Sequence, residues 1–159
     1  MFGKPMAYYL RLQAPALIAI TVVFIVRLAM SRGGIPDSAG KILSITFILI
    51  LALPYYALLA KREGLTFKHL YAMGFIQGVF SQTLVALAIV LAIVTGHDNI
   101  YTIPEFYPQS AGGTPFPVDG KNWMHAIAHI VFAGALVLPL ASWAVSSVLL
   151  VIARKVKSW

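Results

Sequence analysis

The sequence predicts an all-α integral membrane protein whose four transmembrane helices form a bundle with one long extracytoplasmic loop. Of its 159 residues, 60% are hydrophobic and only 11% are charged, whereas a soluble domain has roughly a quarter charged residues. The mean hydropathy is +0.85. Four apolar stretches, each long enough to cross a hydrocarbon core, occupy most of the chain and leave no segment for a separate soluble core. We therefore expect a single membrane domain over residues 1–159.

The predicted spans cover residues 14–30, 42–60, 70–95 and 123–153. Pro15 suits the first turn of a helix, where its missing N–H costs nothing. The Gly-Gly and Pro-Asp pairs within residues 33–37 indicate a tight connection to the second span. Charged residues and a glycine at 61–64 end the second span, and Thr66 is a candidate cap for the third. A secretory signal peptide is the alternative for the first span, but Arg27 interrupts its run of small residues.

Residues 96–122 form the only long predicted loop, and they hold four of the nine prolines. A loop of this length is too long for a simple connector and is typically either functional or disordered. Its aromatic and proline residues favour a compact cap on the outer surface of the membrane, with a substrate lid as the alternative.

The twelve basic residues exceed the five acidic ones, which gives a net charge of +7. They cluster at helix ends, where anionic lipid headgroups explain them better than nucleic acid does. One side of the predicted bundle has Lys4, Arg11, Lys61, Arg62, Lys68, Arg154, Lys155 and Lys157, and the other has Arg27, Arg32, Lys41 and Lys121. This asymmetry predicts a multi-pass protein with both termini in the cytoplasm and the 96–122 loop outside.

The chain contains no cysteine, which excludes disulfides, thiol catalysis, thiolate-ligated haem and cysteine-ligated iron–sulfur clusters. It also lacks a nucleophile elbow, a phosphate-binding loop, a zinc-protease histidine pair and a dinucleotide-binding fingerprint. No motif therefore specifies a reaction, and catalysis stays an open question at this level.

The third span contains small residues at helical spacing, namely Gly74, Gly78 and Ser81. Small residues at this spacing let two helices approach closely in a membrane. The pattern predicts helix packing or oligomer contact, either with a second copy or with another membrane protein. A substrate path is the less favoured interpretation.

Three polar residues lie within the predicted spans and are candidates for substrate or lipid contact: Arg27, Gln77 and Gln82. Polar groups are costly in hydrocarbon, so both glutamines should face other helices and find hydrogen-bond partners or line a polar cavity. Arg27 lies near the end of its span. It can snorkel outward, pair with Asp37, or contact an anion or a lipid headgroup.

Three of the four histidines, His97, His125 and His129, belong to the predicted outer side. His125 and His129 are four residues apart and project from one helix face, a spacing that two ligands of one metal can use. His97 could complete the set, with Asp98 or Glu105 as a further ligand or hydrogen-bond acceptor. The candidate cofactor is thus a metal ion, or a haem held by His97 and one histidine of the fourth span. The alternative is a pair of half-exposed imidazoles with a purely structural role.

Three classes of function fit these features. The first, which is the predicted function, is an accessory, structural or oligomer-forming membrane component, and the other two are alternatives to it. The second is a metal- or haem-binding membrane protein with a histidine site on the outer face. The third is a lipid or small-molecule carrier. A carrier predicts a polar cavity within the bundle, a metalloprotein predicts bound metal or a haem absorption band, and an accessory protein predicts neither.

Overall fold

The computed structural model describes residues 1–35, 43–102 and 121–156. Over these ranges the chain is all-helical and has no strands. The four helices are α1 Met6–Arg32, α2 Ile45–Arg62, α3 Phe67–Thr95 and α4 Trp123–Lys155. Each is long and apolar enough to cross a membrane, which suggests a multi-pass membrane protein. Most of the predicted 96–122 cap, including Glu105, lies outside the described residues.

Helix α1 begins at Met6, eight residues before the predicted start of the first span, and Pro15 lies inside it. Its buried residues recur every three or four positions, as Tyr9, Gln13, Ala16 and Ile20 do, so one face is continuous across the proline. The polar Gln13 lies on this face, where its Oε1 accepts a hydrogen bond from Tyr56 Oη at 3.2 Å, while its buried Nε2 has no acceptor among the described residues. This buried pair explains why the helix continues through a stretch whose sequence is mixed.

Helix α3 is the centre of the bundle and contacts each of the other three helices. It begins at Phe67, three residues before the predicted start, because Thr66 caps it. The Thr66 backbone N–H donates to His69 Nδ1 at 3.2 Å, which satisfies one of the donors a helix start leaves free. At its other end Gly96 has φ 71°, a left-handed conformation that glycine adopts without strain.

Helix α4 changes its winding in the middle, since residues His129–Val137 form a π-helical stretch between two α-helical parts. The stretch ends next to Pro139, which has no N–H and therefore gives the Gly134 carbonyl no π-helical donor. That carbonyl oxygen lies against α3, 2.6 Å from the position where a Cβ on Gly78 would stand. The backbones of the two helices thus approach each other closely between Gly78 and Gly134.

Helices α1 and α3 end, and α2 and α4 begin, at the same end of the bundle, which we call the loop end. A short segment, residues 97–102, follows α3 there and folds back onto it: Asn99 Nδ2 donates to the Ala88 carbonyl at 2.7 Å. Asn99, Ile100 and Thr102 are buried as a result. This turn segment closes the side of the bundle where the candidate site lies.

Candidate functional site

A cavity of about 410 Å³ opens at the loop end of the bundle. We call it the polar cavity, and its lining residues are Arg27, Ser44, Ile45, Thr46, Gln82, Val85, Ile100, Tyr101 and His129. All four helices and the turn segment contribute to it. The structure therefore brings together Arg27, Gln82 and His129, which the sequence assigned to two separate sites.

Arg27 is the only cationic side chain among the described residues that line the polar cavity. It is 7% exposed, so it does not snorkel to the surface. Its guanidinium lies over the ring of Tyr101, 5.3 Å from the centroid, while its Nε donates to no acceptor in the described part of the chain. The ion pairs found there do not include it, and Asp37 lies outside the described residues.

The turn segment positions Tyr101, the second feature of this cavity. The Tyr101 backbone N–H donates to Asn99 Oδ1 at 3.0 Å, and its ring stacks on Phe24 with centroids 5.7 Å apart. Burial raises the pKa of Tyr101 to about 12, against the opposing effects of the Arg27 charge and of polar contact between the Tyr101 hydroxyl and Arg27. The hydroxyl and Arg27 Nε are both buried, and neither atom has a partner at full hydrogen-bond geometry among the residues described.

Gln82 and His129, which line the polar cavity, form a series of hydrogen bonds with His125, which does not line it. His129 Nδ1 lies 2.6 Å from Gln82 Oε1, and His129 Nε2 lies 3.1 Å from His125 Nε2. An amide oxygen only accepts, so Nδ1 of His129 donates, and in the neutral ring Nε2 must then accept from His125. Gln82 thereby fixes the tautomer of His129.

These hydrogen bonds determine which residues could hold a metal ion. A metal about 2.0–2.1 Å from both Nε2 atoms would make an angle of about 100° at the metal, close to tetrahedral. The hydrogen bond from His129 Nδ1 to the amide oxygen of Gln82 is of the kind that usually orients a metal-ligating histidine. Over the described ranges, however, no group of three or more His, Asp or Glu residues could hold a metal.

The other predicted ligands are placed differently. His97 is exposed and its Nδ1 contacts the Thr95 carbonyl at 2.8 Å. Asp98 accepts from Lys121 Nζ at 2.9 Å and from Thr102 Oγ1 at 3.0 Å. Neither His97 nor Asp98 lines the polar cavity. The residues that the structure describes therefore offer a histidine pair with Gln82 rather than the predicted five-residue set.

The Asp98–Lys121 pair makes a testable contribution to the loop end. The hydrogen bond from Lys121 holds the pKa of Asp98 below its ordinary value of 3.8. Because the folded-state pKa is the lower one, the pair stabilises the folded state above about pH 4 and loses this contribution as the pH falls through the folded-state pKa. We expect Lys121→Gln to return the Asp98 pKa toward 3.8 in a carboxyl NMR titration. An unchanged pKa would show that the pair does not form.

The predicted packing residues Gly74 and Gly78 face α4 of the same chain. A Cβ on Gly74 would stand 3.1 Å from Ser142 Cβ, and one on Gly78 would meet the Gly134 carbonyl oxygen. Ser81 is buried, and its hydroxyl donates to the Gly78 carbonyl at 3.1 Å. All three residues are covered by other parts of the same chain. Self-association of the protein stays a prediction.

A second, smaller cavity of about 150 Å³ lies between α2, α3 and α4. We call it the apolar cavity, and its lining residues are Thr46, Leu49, Ile50, Leu53, Gly74, Gln77, Gly78, Leu138, Ala141, Ser142 and Val145. The third predicted contact residue, Gln77, is therefore in this cavity and not beside Arg27.

Sequence reasoning missed three residues that shape the polar cavity. Tyr101 has the pattern of an interfacial aromatic and Asn99 that of a loop residue, yet the turn segment folds both inward. Gly134 is missed because a single glycine in an apolar helix carries little signal. A Cβ there would lie 3.1 Å from Gln82 Cβ, so its absence makes room for the Gln82 side chain. The spacing between Gly134 and Pro139 was the sequence feature that could have indicated a special role for this glycine.

No protein family, no curated protein and no solved structure matches this chain.

Proposed function

We propose that the protein is a lipid or small-molecule carrier of the membrane, whose polar cavity binds an anionic group through Arg27. The single observation that carries the proposal is the state of Arg27. This cation is almost fully buried, lines a cavity, and has an Nε without an acceptor in the described part of the chain. Such groups inside membrane bundles are costly and mark substrate or ion sites.

The remainder of the lining supports an anionic ligand. Ser44 and Thr46 bring hydroxyl groups to the cavity, and Tyr101 brings a buried hydroxyl next to Arg27. Hydroxyls and a planar guanidinium suit phosphate or carboxylate, because guanidinium binds both through paired hydrogen bonds. Glu63 and Asp98, the carboxylates in the described ranges, do not line the cavity.

Among the three classes expected from the sequence, the carrier is the one that requires a polar cavity, and this supports it over the others. An accessory or oligomer-forming role requires neither the cavity nor a buried Arg27 whose Nε has no acceptor in the described ranges. It remains a prediction without an observation of its own, and so does the haem alternative.

The test is equilibrium binding to purified protein in a maltoside detergent, which offers no anion. Three probes distinguish the sources of the anionic group: inorganic phosphate, lysophosphatidate, and a monoacylglycerol of the same chain length as a neutral control. Binding of lysophosphatidate alone identifies a lipid headgroup, and binding of inorganic phosphate as well identifies a free anion site. Equal binding of lysophosphatidate and the monoacylglycerol would refute the proposal.

A second candidate function is binding of a divalent transition metal by His125 and His129, favoured by their 3.1 Å Nε2 separation. We expect Co²⁺ to give a nitrogen-ligand absorption spectrum in wild-type protein that His125→Ala/His129→Ala abolishes while the bundle stays folded. His97→Ala is the matched control and should leave the spectrum unchanged. Absence of a Co²⁺ spectrum in the wild type, or its persistence in the double variant, would remove this candidate.

The orientation in the membrane is part of the proposal, with both termini in the cytoplasm and the loop end outside. The excess of basic residues near the termini supports it. We expect a cytosolic reporter fused after Trp159 to be active and a periplasmic reporter there to be silent. The opposite pattern would invert the orientation and place the polar cavity on the cytoplasmic side.

A further inference from the structure

The polar cavity and the apolar cavity follow one another along the bundle. Thr46 lines both. From the polar cavity toward the termini, α2 contributes Leu49 and Leu53, and α3 contributes Gln77 after Gln82. Helices α2, α3 and α4 thus line both cavities, with a cation in the cavity at the loop end and leucines in the cavity nearer the termini.

Two residues that line the apolar cavity have polar atoms without a hydrogen-bond partner in the described part of the chain. Gln77 is 2% exposed, and its Nε2 donates to no acceptor among the described residues. Ser142, on the facing helix α4, has a buried hydroxyl that also lacks a hydrogen-bond partner among the described residues. A buried amide or hydroxyl without a partner is costly, so two donors beside one cavity point to an acceptor supplied by a ligand.

The apolar cavity opens sideways toward the bilayer. Ile50 lines it and is 56% exposed, and Ala141 on the facing helix is exposed as well. The cavity volume of 150 Å³ accommodates about five groups the size of a water or a methylene, at roughly 30 Å³ each. A longer apolar chain would leave through this opening into the surrounding lipid.

These features occur in a fixed order: a cation, two hydrogen-bond donors, then leucines with an exit to lipid. We infer that the ligand is an acyl lipid whose anionic headgroup binds Arg27 and whose acyl carbonyl accepts hydrogen bonds from Gln77 and Ser142. This inference rests on the proposed function and names its substrate class. Gln77 lies five residues before Gln82, a residue that lines the polar cavity with Arg27, and so is about 7.5 Å farther from the loop end along α3. The carbonyl therefore binds deeper in the bundle than the polar cavity.

The carbonyl is the part of the ligand that tests this inference. We compare 1-palmitoyl lysophosphatidate with its 1-hexadecyl ether analogue, which has the same headgroup and chain length but no carbonyl. Wild-type protein in maltoside detergent should bind the ester about 5- to 150-fold more tightly, the effect of two neutral hydrogen bonds. Gln77→Leu should abolish this preference, and Ser142→Ala, a milder change, should reduce it.

Ser147→Ala is the matched control. Ser147 also lies on α4 with a buried, unpartnered hydroxyl, but it lines neither cavity, so the preference for the ester should persist. Equal affinity of wild-type protein for the two lipids, with binding still dependent on Arg27, would overturn the inference and leave the proposed function standing. Binding of neither lipid, or binding independent of Arg27, would refute the proposed function and this inference together.

Discussion

Replacing Arg27 by glutamine should weaken binding of an anionic lipid by about 10- to 150-fold, the effect of losing one charged hydrogen-bond partner. The substitution keeps an amide at the position but removes the charge and the guanidinium fork. Arg27→Lys should give an intermediate loss, because an ammonium retains the charge without the paired geometry. Equilibrium binding of lysophosphatidate to the purified variants measures both effects.

Substitution of Arg27 should affect the stability of the protein differently from its effect on binding. Arg27 is a buried charge without an ion-pair partner in the described ranges, so Arg27→Leu should leave the melting temperature of ligand-free protein unchanged or raise it. Arg32→Gln is the control, since Arg32 is exposed and its Nη1 contacts Thr95 Oγ1 at 3.5 Å. If Arg27→Leu destabilises the bundle and leaves binding intact, Arg27 is structural.

The second large effect is expected at the crossing of α3 and α4. Gly78→Leu should lower the free energy of unfolding by about 3 kcal/mol or more, the upper part of the range for overpacking. For a chain of this length that corresponds to roughly 6–12 °C in melting temperature. A Cβ on Gly78 would stand 2.6 Å from the Gly134 carbonyl oxygen and 3.2 Å from Leu138 Cβ. The backbone itself would have to move, because a carbonyl cannot rotate away as a side chain can.

Ala144→Leu on α4 adds a side chain of the same kind at an exposed position and should change the melting temperature little. Thermal unfolding of both variants in one detergent gives the comparison. Similar melting temperatures for wild type, Gly78→Leu and Ala144→Leu would show that the close crossing does not form.

The four helices could be predicted from the sequence because hydrophobic length alone identifies a membrane span. Helix ends were less predictable, since they depend on particular partners. Helix α1 extends to Met6 because Tyr9 and Gln13 are buried against the bundle, and α3 begins at Phe67 because His69 accepts from the Thr66 N–H. Such contacts between side chain and backbone are not visible in a hydropathy pattern.

Three residues of the candidate site were predictable individually from the sequence, but their assembly into one cavity was not. Arg27, Gln82 and His129 each stood out as polar groups in apolar sequence. Their meeting in one cavity depends on helix rotation, which the sequence pattern did not specify. The contribution of Tyr101 depends on the turn segment, where Asn99 bonds a helix carbonyl eleven residues earlier, a pairing without a sequence signature.

The central claim is that an anionic group binds Arg27, and its most direct test is a distance. Solid-state NMR on protein labelled with ¹⁵N-arginine can measure the separation between Arg27 Nε and the ³¹P nucleus of bound lysophosphatidate. The account predicts a ³¹P–¹⁵N coupling that corresponds to about 4 Å, the range of a direct ion pair, and its disappearance in Arg27→Lys. Bound lysophosphatidate without this coupling, or a coupling that survives in Arg27→Lys, would contradict it.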